Sequence, residues 1–174
     1  MSKGEAHYRH QITGKINHAR GKMFEELIEA SCRQYDLEGK GQIEKTPEPM
    51  RVLRRMNDNC HFMCAFEKKA QPDYKGTLNG GRAVVFEAKY TDEGRISQNA
   101  VTDDQAKRLE RFHNYGALAF VLVSFSFESF CKIPWPGWRD MKEKYGRKYL
   151  TCNEAEIIGK VPFTGSRILF LEKI

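Results

Sequence analysis

Apolar positions along this chain change period several times, and each change marks an expected element. Over residues 22–35, Phe24, Leu27, Ile28, Ser31 and Tyr35 recur at helical spacing, which predicts a first helix with that stripe facing the core. Residues 1–20 have no apolar period and mix His, Arg, Lys, Gly and Asn, so they read as a flexible basic arm. Gly39-Lys40-Gly41 closes the helical region, and residues 42–46 read as a first strand. Pro47 and Pro49 break the pattern. Residues 50–56 and 61–66 then form two extended runs around Asn57-Asp58-Asn59, a projecting hairpin with Arg51, Arg54 and Arg55 on its first arm. Residues 91–101 read as a polar loop. Thr102 and Gln105 have the spacing of a capping box, opening a helix to about Tyr115 with Ala106, Leu109, Phe112 and His113 inward. Residues 117–127 are nearly all apolar, β-branched or aromatic, as expected of a central strand covered on both faces, with residues 130–134 as its neighbour. Trp135 and Trp138 open a basic helical stretch to Tyr145; stacking on bases and anchoring in the core are the two roles open to them. Residues 153–158 suggest a short helix and residues 167–171 a last strand.

The most informative stretch is residues 72–90. Asn79-Gly80-Gly81 tolerates positive φ, so the flanking runs read as a β-hairpin. With residues 79–81 as the loop, Leu78 faces Arg82, and counting back places Asp73 opposite Glu87. Alternation puts Val85, Glu87 and Lys89 on one face, and Val84, Phe86, Ala88 and Tyr90 on the other. Two carboxylates and an amine thus converge at one end of the hairpin. Paired carboxylates repel unless a cation lies between them, and hard oxygen ligands suit Mg²⁺, with Mn²⁺ as a substitute. Such a site fits phosphodiester hydrolysis: the cation polarises the phosphate and acidifies a water, and an ammonium balances developing charge.

Composition narrows the partners. The 174 residues carry a net charge of +6, with 40% hydrophobic and 30% charged residues, which fits one soluble globular domain and a polyanionic partner. Cations cluster at Lys3, Arg9, Lys15, Arg20 and Lys22, and again at Lys132, Arg139, Lys142, Lys144, Arg147 and Lys148. The longest apolar run, residues 117–123, is too short to span a bilayer, and no apolar stretch follows Met1, so the expected location is the cytoplasm, with reduced cysteines. His7, His10 and His18 lack metal-ligand spacing, and Cys60, His61 and Cys64 lack a second ligand pair, which argues against zinc.

Pro72-Asp73 with Glu87-Ala88-Lys89 resembles the PD-(D/E)xK signature of restriction-endonuclease-like nucleases. The wider context is similar to the RecU-type Holliday-junction resolvases: Gly21-Lys22-Met23-Phe24-Glu25, Phe66 to Asp73-Tyr74, Phe86 to Lys89, Gln105 and Gly146-Arg147-Lys148 occur in that family's order. The resemblance implies an α/β fold, a mixed central sheet flanked by helices, with a hairpin stalk inserted at about residues 48–67 of a nuclease domain spanning residues 21–174. It implies a Mg²⁺-dependent homodimer that nicks four-way DNA junctions symmetrically. Asp73 and Glu87 would bind metal with Glu25 in support (Glu29 as the fallback), Lys89 would assist the attacking water, and Gln105 would lie near the centre. Lys22, Arg51, Arg54, Arg55, Lys75, Arg147 and Lys148 are the expected DNA contacts. The alternatives are a related endonuclease acting on other DNA and a non-catalytic junction-binding protein.

Overall fold

The computed structural model describes residues 3–47, 49–56, 61–66 and 71–172, with side chains from residue 16 onward. Helix α1 runs over Lys3–Leu37. Phe24, Ile28, Ser31 and Tyr35 are buried, as the periodicity predicts. The helix nevertheless begins far upstream of residue 22, so the stretch expected to be a flexible arm is helical from Lys3. Once the packed turns exist, each further residue is fixed for one hydrogen bond without a new nucleus. Glu5, Ala6, Arg9, Gln11, Lys15 and Ala19 are all adequate helix formers. Arg20 also pairs with Asp92, tying this part of the helix to the main body.

Strands β1 (Gly41–Lys45), β4 (Tyr74–Leu78), β5 (Ala83–Thr91), β7 (Leu118–Phe125), β8 (Ser129–Pro134) and β10 (Lys160–Val161) build a mixed sheet in the order β1-β4-β5-β7-β8-β10. The pair β5 and β7 is parallel and the others are antiparallel. β7 is the expected central strand: every residue from Ala119 to Phe125 is buried. A parallel pair requires a crossover. It consists of β6 (Arg95–Ser97), a 3-10 turn at Gln98–Ala100 and α2 (Asp103–Asn114). The expected polar loop at residues 91–101 is therefore structured, because β6 pairs with the distant β9 (Tyr149–Thr151). No local pattern announces that pairing.

One face of the sheet packs on α1, where Tyr74, Phe86 and Phe120 stack across neighbouring strands at centroid distances of 4.8 and 4.6 Å. The other face carries α2, α3 (Trp135–Arg139), α4 (Met141–Tyr145) and α5 (Cys152–Gly159) around Val85, Val121, Leu109 and both tryptophans. Trp135 and Trp138 are core anchors, 3% and 1% exposed, and are closed to base stacking. The basic stretch they open is broken between α3 and α4 at Asp140.

Residues 167–171 do not form the expected last strand. Besides one bridge between Phe163 and Ile168, their backbone is held by side chains of α1 and by Lys132 of β8, whose Nζ donates to the Phe170 carbonyl at 2.8 Å. The Ile168 N–H donates to Ser31 Oγ (2.8 Å), and the Leu171 N–H to the Tyr35 hydroxyl (3.1 Å).

β2 (Met50–Arg55) and β3 (Phe62–Phe66) form a separate two-stranded antiparallel ribbon, the expected inserted hairpin. Every residue of β2 is exposed. The expected turn at Asn57-Asp58-Asn59 lies outside the described residues, as do Cys60 and the side chains of Lys3, His7, Arg9, His10 and Lys15.

Candidate active site

The hairpin of β4 and β5 has the expected register. Tyr74 pairs with Phe86 and Thr77 with Ala83, and the Leu78 N–H donates to the Arg82 carbonyl at 2.8 Å. Gly80 and Gly81 take φ of +88° and +85°, the left-handed region that glycine enters without steric cost. This register brings Asp73, one residue before β4, level with Glu87. Where β4 has no backbone partner to offer, the Asp73 side chain substitutes: its Oδ2 accepts the Ala88 N–H at 3.0 Å. The ammonium of Lys89 lies 3.1 Å from Glu87 Oε2 and 3.6 Å from Asp73 Oδ2. Asp73, Glu87 and Lys89 therefore form one cluster.

Glu87 is fully buried beneath the N-terminal turn of α2. Gln105 there has both functions that its position allows. Its Oε1 accepts the Thr102 N–H at 3.0 Å, completing the capping box, while its Nε2 donates to Glu87 Oε2. The other carboxylate oxygen, Glu87 Oε1, is buried without a hydrogen-bond partner. Burial and the neighbouring Asp73 carboxylate push the Glu87 pKa up to about 8, against the opposing pull of Lys89. A buried acid with an unshared oxygen facing a second carboxylate is suited to a divalent cation, which would satisfy the oxygen and hold the acid ionised.

Glu25 is placed differently. Its Oε2 pairs with Lys45 Nζ at 2.8 Å. Among the described residues, no group of three or more His, Cys, Asp or Glu side chains is close enough to hold an ion. Glu29 lines a separate groove with Asp36, Glu44 and Lys45. Lys45, at the end of β1, was not singled out by the sequence. Its ammonium is held in the charged form chiefly by Glu25, with Glu29 and Asp73 adding smaller attractions. The signal available for it was its position, at the end of the first strand and opposite Tyr74, the neighbour of Asp73.

The expected DNA contacts fall into distinct settings. Lys22 is exposed and lines a groove with Asn17, His18, Gly21, Glu25 and Lys45. Arg51, Arg54 and Arg55 are exposed on the ribbon, and Lys75 is exposed with its ammonium on Gln71. Lys148 is exposed, whereas Arg147 is half-buried and bound to both oxygens of Glu154 at 2.6 and 2.7 Å.

Residues 19–164 match the family model for recombination protein U. The chain belongs to the RecU family. RecU proteins described as Holliday junction resolvases from Streptococcus pneumoniae strains Taiwan19F-14 and Hungary19A-6 are each 30% identical to it over 112 residues. The alignments take in 62% of this chain and 56% of theirs, so this RecU member spans about half the length of the curated relatives it matches. It is also similar to the solved structure of Archaeoglobus fulgidus Hjc, a Holliday junction resolvase from an archaeal hyperthermophile. That similarity has a TM-score of 0.45 and 14% identity, and covers 73% of this chain and 92% of Hjc.

Proposed function

We propose that this RecU member is a Mg²⁺-dependent endonuclease that resolves four-way DNA junctions by paired, symmetric nicks, acting as a homodimer. The observation that carries the reading is the convergence of Asp73, Glu87 and Lys89, with Glu87 Oε1 buried and unshared beside a second carboxylate. The names carried by the streptococcal relatives supply the substrate class.

Asp73 and Glu87 would hold the cation, with Glu25 reaching it on release from Lys45. When bound, the cation supplies Lewis-acid polarisation of the scissile phosphate and a more acidic water. Gln105 fixes the Glu87 carboxylate from the side facing α2, so its free oxygen keeps one direction. Lys89 keeps an ammonium between the two carboxylates, where it can donate to the attacking oxygen and offset charge growing on the phosphate. The exposed arginines of the β2–β3 ribbon suit a place where phosphates of several strands crowd together. Matched nicks need two equivalent sites, which a two-fold dimer provides.

The test is cleavage of a labelled four-way junction in Mg²⁺ by wild type and by Asp73→Asn. Symmetric paired nicks that vanish in the variant, with junction binding retained, are the expected result. Junction binding without cleavage in either Mg²⁺ or Mn²⁺ would overturn the catalytic reading. Equal cutting of linear duplex and junction would overturn the junction selectivity.

A further inference from the structure

In the β6–β9 ribbon, Arg95 stands opposite Thr151, Ile96 opposite Leu150 and Ser97 opposite Tyr149. Ile96 and Leu150 are buried, so alternation turns Arg95 and Tyr149 to the other face. The guanidinium carbons of Arg147 and Arg95 lie 4.5 and 5.4 Å from the Tyr149 ring centroid. These two arginines differ in every other respect.

Arg147 is part of the framework. Its Nη2 donates to both oxygens of Glu154, and its Nε is buried without a partner. Glu154 in turn caps α5, accepting the Thr151 N–H at 2.9 Å. Arg95 is free to meet a ligand. Its side chain is 61% exposed, and its ion pair is a 3.4 Å contact to Glu93, which is itself 72% exposed. Such a pair is weak in water and easily exchanged. The aromatic ring beneath it limits the freedom that a long side chain otherwise loses on binding. Lys148 is exposed just before β9, and Lys142 and Lys144 are exposed on α4.

Arg95 is also placed within reach of the carboxylate cluster. Thr91 lies four residues beyond Glu87 on β5, roughly 13 Å along the strand. The Thr91 hydroxyl donates to the Arg95 carbonyl at 3.2 Å, holding Arg95 beside that end. The span corresponds to about four nucleotide steps of a duplex.

We infer that Arg95, laid against Tyr149, contacts the sugar-phosphate backbone of bound DNA a few nucleotides from the cleaved bond, while Arg147 supports the ribbon without touching nucleic acid. This rests on the nuclease reading above. The guanidinium fork matches the oxygens of a phosphate, and the contact is blind to base sequence.

The test is binding of full-length protein to a short labelled duplex and to a four-way junction, in EDTA, across a salt series. Arg95→Ala should lessen the slope of log K against log salt by about 0.9, so the loss of affinity between about 50 and 200 mM salt shrinks roughly three- to fourfold. Lys160→Ala, which removes equal charge at the β10 edge, should keep the wild-type slope. Arg147→Ala should lower the melting temperature and leave the slope unchanged at a temperature where it is folded. A wild-type slope in Arg95→Ala, or an equal loss in Lys160→Ala, would overturn the inference. A lessened slope in Arg147→Ala without loss of stability would transfer the contact to Arg147. Should the wild type bind neither DNA, the nuclease reading itself fails; binding by the wild type with an unaltered Arg95→Ala refutes this contact alone.

Discussion

Glu87 combines two demands that pull in opposite directions. Its side chain is fully buried with one oxygen unpartnered, which costs folding energy, and it stands beside Asp73, which adds repulsion once both are ionised. Glu87→Gln keeps the shape and can still accept from Gln105. It should raise the melting temperature in the absence of metal while lowering cleavage by at least about 100-fold, a rise of roughly 2.7 kcal/mol in the barrier. A calorimetric scan paired with a junction-cleavage rate checks both. At Glu154 the balance is reversed. Hydrogen bonds from Thr151 and Arg147 hold its carboxyl down to about 2 from the usual 4.5. The folded state therefore binds fewer protons there than the unfolded state, so the stability this group contributes is complete above about pH 4.5 and disappears as the pH falls toward 2. A melting-temperature profile over that window should be flatter for Glu154→Gln than for wild type. The clustering of Asp73, Glu87, Lys89 and Gln105 was legible in sequence because each sits on a local signal: a turn, an alternation, a capping box. The partners of Glu25 and Arg147 were not. Lys45 and Glu154 meet them through packing that no short-range spacing encodes.

Among the elements, the β4–β5 hairpin was readable down to its register because Asn79-Gly80-Gly81 fixes the loop, and a fixed loop leaves one pairing. The capping box of α2 was readable for the same local reason. By contrast, β6 with β9 and β8 with β10 join distant segments of two or three residues at the pairing, too short to show a period. One glycine carries a specific demand. A Cβ at Gly76 would lie 2.0 Å from the Gln42 carbonyl oxygen, so β1 can approach β4 this closely only against a residue without a side chain. Gly76→Ala should destabilise the protein by about 2 kcal/mol or more in urea unfolding, through forced separation of those strands. The ribbon β2–β3 should behave in the opposite way. Because β2 is wholly exposed, replacing Arg51, Arg54 and Arg55 together by Ala should leave unfolding unchanged. The same change should reduce the preference for junction over duplex by about tenfold or more in competition binding.

For the molecule as a whole, the proposed reaction makes two sites interdependent. Mixed dimers containing one Asp73→Asn protomer should nick one strand of a junction and release no resolved duplexes, which a gel separating nicked from resolved products would show. The ribbon bears on the protein's behaviour in solution as well. Met50, Val52, Leu53, Phe62 and Met63 stand exposed on two strands that, among the described residues, share no sheet with any other strand. A lone two-stranded ribbon is marginal in water, so this segment should open locally long before the six-stranded sheet does. It also carries three arginines, each a substrate for trypsin. A protease will therefore cut here first, and the rate of that cut becomes a clock for whatever covers the ribbon, whether DNA or a second subunit.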